Sequence, residues 1–130
     1  MHNMQCEVQC EVQGEVQGEV HVGIHLLVNL YDVSTIFLER LTLGLPLLDS
    51  IVHELKLTVV SQTGHQFDPH GYSYAYVLSE SHFTIHTYPE FHSCYIDIFC
   101  CNPNFNTDHA ISIIKNEFQT ENAVYQVIPR

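Results

Sequence analysis

The sequence has no tryptophan and only four basic residues, Arg40, Lys56, Lys115 and Arg130, against fifteen acidic ones. Nucleic-acid binding needs clustered Lys and Arg to displace counterions from phosphates, so that class of partner is excluded. The formal net charge of −11 instead favours cationic small molecules near the surface; it bears on solubility and steering, not on fold. No run approaches the ~20 apolar residues that span a bilayer, and no membrane partner is expected. The opening Met1-His2-Asn3-Met4-Gln5 lacks both the basic flank and the apolar core of a signal peptide. Five cysteines, an odd number without secretory context, are expected as reduced thiols in a cytoplasm. There is no Cys-x-x-Cys and no HxxxH on a predicted helix, so a metal site built from His65, His70, His82, His86 and His92 has little behind it, and none is expected.

The chain of 130 residues, 45% hydrophobic, has single-domain length and enough apolar content for a core. Residues 6–20 form a repeat, Cys6-Glu7-Val8-Gln9, Cys10-Glu11-Val12-Gln13, Gly14-Glu15-Val16-Gln17 and Gly18-Glu19-Val20. Val and Gly are poor helix formers, and the strict alternation also allows an edge strand. An acidic, low-complexity terminal repeat is read here as a flexible extension over residues 1–20, with the folded domain over 21–130.

Within that domain His21 to Val33 is nearly continuous in apolar residues and reads as a core strand. Ser34 to Gly44 is ambiguous between a short helical turn and a loop. Pro46 is expected to open an amphipathic helix with Leu47, Leu48, Ile51, Val52 and Leu55 on one face. Leu57 to Ser61 reads as a strand, Gln62 to Gly71 as a loop, and Tyr72 to Leu78 as the next strand. A Glu80-Ser81 turn leads into strand 82–88, and Cys94 to Cys101 returns antiparallel. Asn106-Thr107-Asp108 offers N-caps to a second helix with Ala110, Ile111, Ile114 and Phe118 inward, and Ala123 to Ile128 closes as a strand. This order predicts an α+β two-layer sandwich, an antiparallel sheet with helices packed on one face.

The chemistry concentrates in Leu78-Ser79-Glu80-Ser81-His82-Phe83-Thr84-Ile85-His86-Thr87-Tyr88-Pro89-Glu90. Strand alternation sends Phe83, Ile85 and Thr87 to one side and His82, Thr84, His86 and Tyr88 to the other. Two histidines and a phenol lined up opposite a buried face look like the wall of a polar site. On the following strand, alternation separates Cys100, a candidate buried thiol, from Cys101 on the face that carries Asp97.

These residues also carry a resemblance. Phe67-Asp68-Pro69-His70-Gly71-Tyr72-Ser73 resembles F-x-P-x-G-x-S. Ser79 to Glu90 resembles S-E-S-H-x-x-I-H-T-W-P-E with Tyr88 in place of Trp. Asp97-Ile98-Phe99-Cys100-Cys101 resembles D-(V/I)-F-x-C-G with Asn102 in place of Gly. His25-Leu26-Leu27-Val28-Asn29-Leu30-Tyr31 is similar to the opening of the same family, the short prokaryotic S-adenosylmethionine decarboxylases.

The resemblance implies self-cleavage between Glu80 and Ser81, with Ser81 becoming a pyruvoyl group that serves as the decarboxylation cofactor. It implies Ser73 and His86 as the pair that assists cleavage, and Cys101 as the acid that reprotonates the substrate's α-carbon. Phe67 and Tyr88 would sandwich adenine, and Glu90 would bind the ribose hydroxyls. The product would donate aminopropyl groups to polyamine synthesis, and the enzyme would be a homodimer of cleaved protomers. Two alternatives stand beside it: a relative acting on another cationic amino acid, arginine or ornithine, and an inactive homologue with a regulatory role.

Overall fold

The structure, a computed structural model, describes residues 20–130. The expectation of a flexible repeat falls, up to residue 19, outside the described residues. The elements run β1 (Ile24–Leu30), α1 (Leu41–Glu54), β2 (Val59–Gln66), β3 (Tyr72–Leu78), β4 (Ser81–Tyr88), β5 (Ser93–Cys100), α2 (Thr107–Phe118) and β6 (Ala123–Pro129), with short 3-10 turns at Thr35–Phe37 and Pro89–Phe91. The strands form one antiparallel sheet in the order β2-β3-β4-β5-β1-β6. The α+β two-layer sandwich is therefore the observed fold.

Period-two alternation explains the layers. Leu26, Val28 and Leu30 of β1, Phe83 and Ile85 of β4, and Ile96, Ile98 and Cys100 of β5 all turn to the helix side and are buried. Against them α1 contributes Leu48, Ile51 and Val52, and α2 contributes Ala110, Ile111, Ile114 and Phe118. Asn106 caps α2 as expected, its side chain accepting from the His109 N–H at 3.0 Å. Ser50 of α1 donates to Glu117 of α2 at 2.8 Å, tying the helices together.

Several boundaries differ from expectation. The first strand is shorter, Ile24–Leu30, because Tyr31 already donates its N–H to Asn122 O and Asp32 takes a left-handed φ of 57°. Helix α1 starts at Leu41 rather than at Pro46, which lies inside it. Pro46 withholds one N–H from the Thr42 carbonyl; both residues are exposed, where water replaces the bond. The span 62–66, expected as loop, belongs to β2. Its polar residues carry no alternation signal, but β3 supplies a full ladder from Ser61↔Val77 to Gln66↔Tyr72. Ser81 is the first residue of β4 rather than part of the turn.

Gly44 is buried where α1 crosses β3. A Cβ built there would stand 1.9 Å from the Tyr72 hydroxyl, which donates to Phe37 O at 2.7 Å. The Gly44→Ala variant must displace this fully buried ring and lose its hydrogen bond. It should cost about 2 kcal/mol or more despite alanine's better helix propensity, read as a lower urea midpoint at unchanged m.

Candidate active site

The helices cover one face of the sheet, and the residues of opposite parity form the other. Their registers line up in rows across the strands. One row runs His65–Ser73–His86–Tyr95–Asn29, a second Thr63–Ala75–Thr84–Asp97–Leu27, and a third Val77–His82–Phe99–His25. The polar wall expected from the β4 sequence is thus one strand of a broader open face.

In the first row Ser73 Oγ is hydrogen bonded to His86 Nδ1 at 2.6 Å. Serine and histidine are Cα partners across the β3–β4 ladder, so the backbone register itself creates this pair. A shallow hollow of about 340 Å³ lies on one side of it, lined by His65, Ser73, Thr84 and His86 among others. On the other side His86, Tyr88, Phe91 and Tyr95 line a second hollow of about 300 Å³. Tyr88 meets Tyr95 edge-on with ring centroids 5.6 Å apart. Phe91 (70% exposed) and Tyr95 were not singled out from the sequence. The alternation of β5 does place Tyr95 beside His86, while Phe91 sits on a 3-10 turn that no periodicity marks.

The register continues past Ser73. Phe67 donates its N–H to Gly71 O at 2.8 Å, and Gly71 (φ +101°) lies against Thr87 and Pro89 at the end of β4. Phe67 thus sits beside Gly71 and Tyr88 beyond it, and the Phe67 ring meets His65 edge-on with centroids 4.7 Å apart. Phe67 and Tyr88 are both half-exposed. The Phe67 loop is held from below. The Gln66 amide donates to Glu39 O and Gly71 O and accepts from the Leu41 N–H, and Arg40 donates to Pro69 O. Buried Thr87 accepts from the Tyr72 N–H and donates to Leu38 O, fixing the end of β4 beneath Tyr88. Glu90 is exposed in the 3-10 turn just beyond.

At the opposite end of β4 stands a second group. Ser81, half-buried, pairs with Cys100 of β5 and has φ +144°, a left-handed value that strains any residue with a Cβ. The Glu80 carbonyl accepts the Cys101 N–H at 2.9 Å. Cys101 is exposed, whereas Cys100 and Cys94 are buried and burial pushes both thiols up. The separation of Cys100 from Cys101 thus follows the expected alternation. His82 stays below its ordinary pKa, chiefly through burial and then through neighbouring His25, with Arg130 adding to the shift and Asp97 opposing it. His82 meets His25 edge-on, with ring centroids 5.9 Å apart.

Within one chain these two groups are apart. Ser81 and His86 are five positions apart on one extended strand, about 17 Å at ~3.4 Å per residue. Phe67, Ser73, His86, Tyr88 and Glu90 gather at one end of β4; Glu80, Ser81 and Cys101 gather at its other end, where Ser81 pairs with helix-side Cys100. Among the described residues no group of three or more His, Cys, Asp or Glu is disposed to hold a metal ion, and no helix is long and apolar enough to cross a membrane.

Residues 24–130 match the family model described as S-adenosylmethionine decarboxylase. The chain is 32% identical over 105 residues to the S-adenosylmethionine decarboxylase proenzyme of Clostridium botulinum (strain Loch Maree / Type A3), covering 81% of this chain and 90% of the relative. It is 29% identical over 105 residues to the proenzyme of the same name from Archaeoglobus fulgidus, covering 81% and 94%. The crystal structure of the adenosylmethionine decarboxylase from Aquifex aeolicus superposes with a TM-score of 0.75 at 30% identity, covering 82% of this chain and 88% of that one. A match over nearly all the described residues, with the same fold beneath it, leaves no ambiguity of kinship: the chain belongs to the S-adenosylmethionine decarboxylase family.

Proposed function

We propose that this protein cleaves itself between Glu80 and Ser81 and then decarboxylates S-adenosylmethionine, supplying the aminopropyl donor for polyamine synthesis. The observation that carries the reading is the condition of the Glu80–Ser81 peptide: strained at Ser81 and held at its carbonyl by the Cys101 N–H. Strain of this kind raises the ground state by about 1–3 kcal/mol and recurs where a bond is meant to react. The Cys101 N–H would hold the carbonyl oxygen as negative charge develops on it.

In the proposed chemistry Ser81 Oγ attacks the Glu80 carbonyl carbon and the C–N bond breaks, leaving an ester and a free amine on Ser81. Removal of the Ser81 Cα proton then expels the Glu80 carboxylate, releasing chain 1–80 and leaving dehydroalanine. Tautomerisation and addition of water release ammonia and leave a pyruvoyl cap on residue 81. The Ser73–His86 pair suits the proton transfers, since imidazole exchanges protons near neutral pH. The pyruvoyl group supplies a carbonyl that takes the substrate's α-amine and an electron sink when CO₂ leaves. Cys101, exposed beside this end of β4, would return a proton to the α-carbon. Phe67 and Tyr88, both half-exposed, would take adenine between them, and Glu90 just beyond would accept from the ribose hydroxyls.

The 17 Å between Ser81 and His86 supports a homodimer. One chain cannot bring its own Ser73–His86 pair to its own Ser81, but a second copy related by a two-fold axis would supply it. The domain reading of 21–130 and a cytoplasmic location, where cysteines stay reduced, accompany this proposal.

Four measurements test it. Denaturing intact mass should give two fragments split at 80/81, the second with a pyruvoyl cap, and one full-length chain for Ser81→Ala. A single uncut wild-type chain would favour the inactive regulatory homologue. Co-expression of Ser81→Ala with His86→Ala should restore cleavage of the His86→Ala chain, which alone stays uncut; no restoration would remove the shared site. Phe67→Ala should raise KM for S-adenosylmethionine about tenfold, in line with the ~1–3 kcal/mol of base–aromatic stacking. Turnover of arginine or ornithine in preference to S-adenosylmethionine would transfer the activity to that substrate.

A further inference from the structure

Thr58 lies between α1 and β2, outside every motif that marks the site. Its N–H donates to Glu80 Oε1 at 3.0 Å and its hydroxyl donates to Glu80 Oε2 at 3.2 Å. Its carbonyl accepts the Ser79 N–H at 2.9 Å. All three polar groups of one residue are thus spent on the two residues that precede the Glu80–Ser81 bond. Its side of the contact is prepared locally: Leu57 donates its N–H to Val52 O and Lys56 takes φ 57°, which turns the chain sharply out of α1 and aims Thr58 at the β3–β4 turn.

Glu80 is therefore gripped at two points. Its carboxylate is clasped from the β2 side by Thr58, and its carbonyl is held from the β5 side by the Cys101 N–H. Two restraints on opposite sides of one residue fix the orientation of the peptide plane that follows it. A strained φ persists only where its surroundings over-determine it, and Ser81 at +144° stands immediately after this grip. Without the clasp, Glu80 can rotate and Ser81 can relax toward an ordinary extended conformation, drawing the carbonyl away from both the attacking hydroxyl and the Cys101 N–H.

We infer that Thr58 is a positioning residue for self-cleavage, holding the Glu80 carboxylate so that the Glu80–Ser81 carbonyl stays presented to the Ser81 hydroxyl. This rests on the proposed self-cleavage. It adds a residue that acts on that step alone: once the bond is cut, the clasp no longer bears on a strained peptide.

Cell-free translation of the wild type, Thr58→Val and Thr58→Ser, with the two fragments followed over time on denaturing gels, tests the inference. Thr58→Val keeps the backbone N–H and loses the hydroxyl; its cleavage should slow about tenfold, within the span of a hydrogen bond to a charged acceptor. Thr58→Ser should cleave within about twofold of the wild type. Matured Thr58→Val, normalised to its carbonyl content, should show wild-type kcat and KM for S-adenosylmethionine. Should Thr58→Val fail to fold, Glu80→Gln reads the same clasp from its other side and should also slow cleavage. Cleavage at the wild-type rate in whichever of these variants folds overturns the role of Thr58. So does a fall in kcat of matured Thr58→Val as large as the slowing of cleavage, which would mark general damage. A wild type that never cleaves removes the self-cleavage reading itself, an outcome distinct from both.

Discussion

Everything on the open face depends on the register of β4 between β3 and β5. Phe83 and Ile85 are buried beneath the helices, and a slip of one residue would expose both and drive His82, Thr84 and His86 into the core. The hydrophobic effect on one side of the strand therefore sets the chemistry on the other. The Ser73–His86 contact needs no dedicated support, because the same ladder that buries Ile85 opposite Tyr74 brings the hydroxyl to the ring. The Cys101 N–H reaches the Glu80 carbonyl for the same reason, as the first bond past the Ser81↔Cys100 pair.

The two ends of β4 are built differently. Around Phe67 and Tyr88 the support is a mesh of short bonds, with Gln66 and Thr87 each joining three segments of chain, so exposed aromatic rings stand on a rigid base. Around Ser81 the support is a backbone under strain, gripped at its neighbour Glu80. Rigidity suits the proposed binding of adenine. Stored strain suits a bond that reacts once.

Much of this was legible in the chain. Tyr72 to Leu78 and the inward residues of α2 follow from periodicity alone, because their apolar stripes are uninterrupted. The split between Cys100 and Cys101 was legible for the same reason. The extra turn of α1 before Pro46 was not: proline is favoured at a helix's first position and so reads as its start, and Gly44 reads locally as a loop residue until Tyr72 is packed upon it. The second half of β2 was hidden because Ser61 to His65 is exposed and polar, and its strand character comes from β3. The distance between Ser81 and His86 follows from simple strand geometry, yet adjacency in one motif suggests proximity in space. Thr58 carries no local signal, since its partner is 22 residues away.

The strand order has a further consequence. A cut between residues 80 and 81 would assign β1, α1, β2 and β3 to one piece and β4, β5, α2 and β6 to the other. In the sheet, however, β1 lies between β5 and β6, with seven paired residues on each side. The upstream piece is threaded through the downstream one like a tongue in a clasped joint. Severing the backbone would turn one chain into an interlocked heterodimer whose halves cannot separate without unzipping β1 from β5 and β6 and β3 from β4, so cleavage would change the chemistry at one residue while leaving the architecture whole.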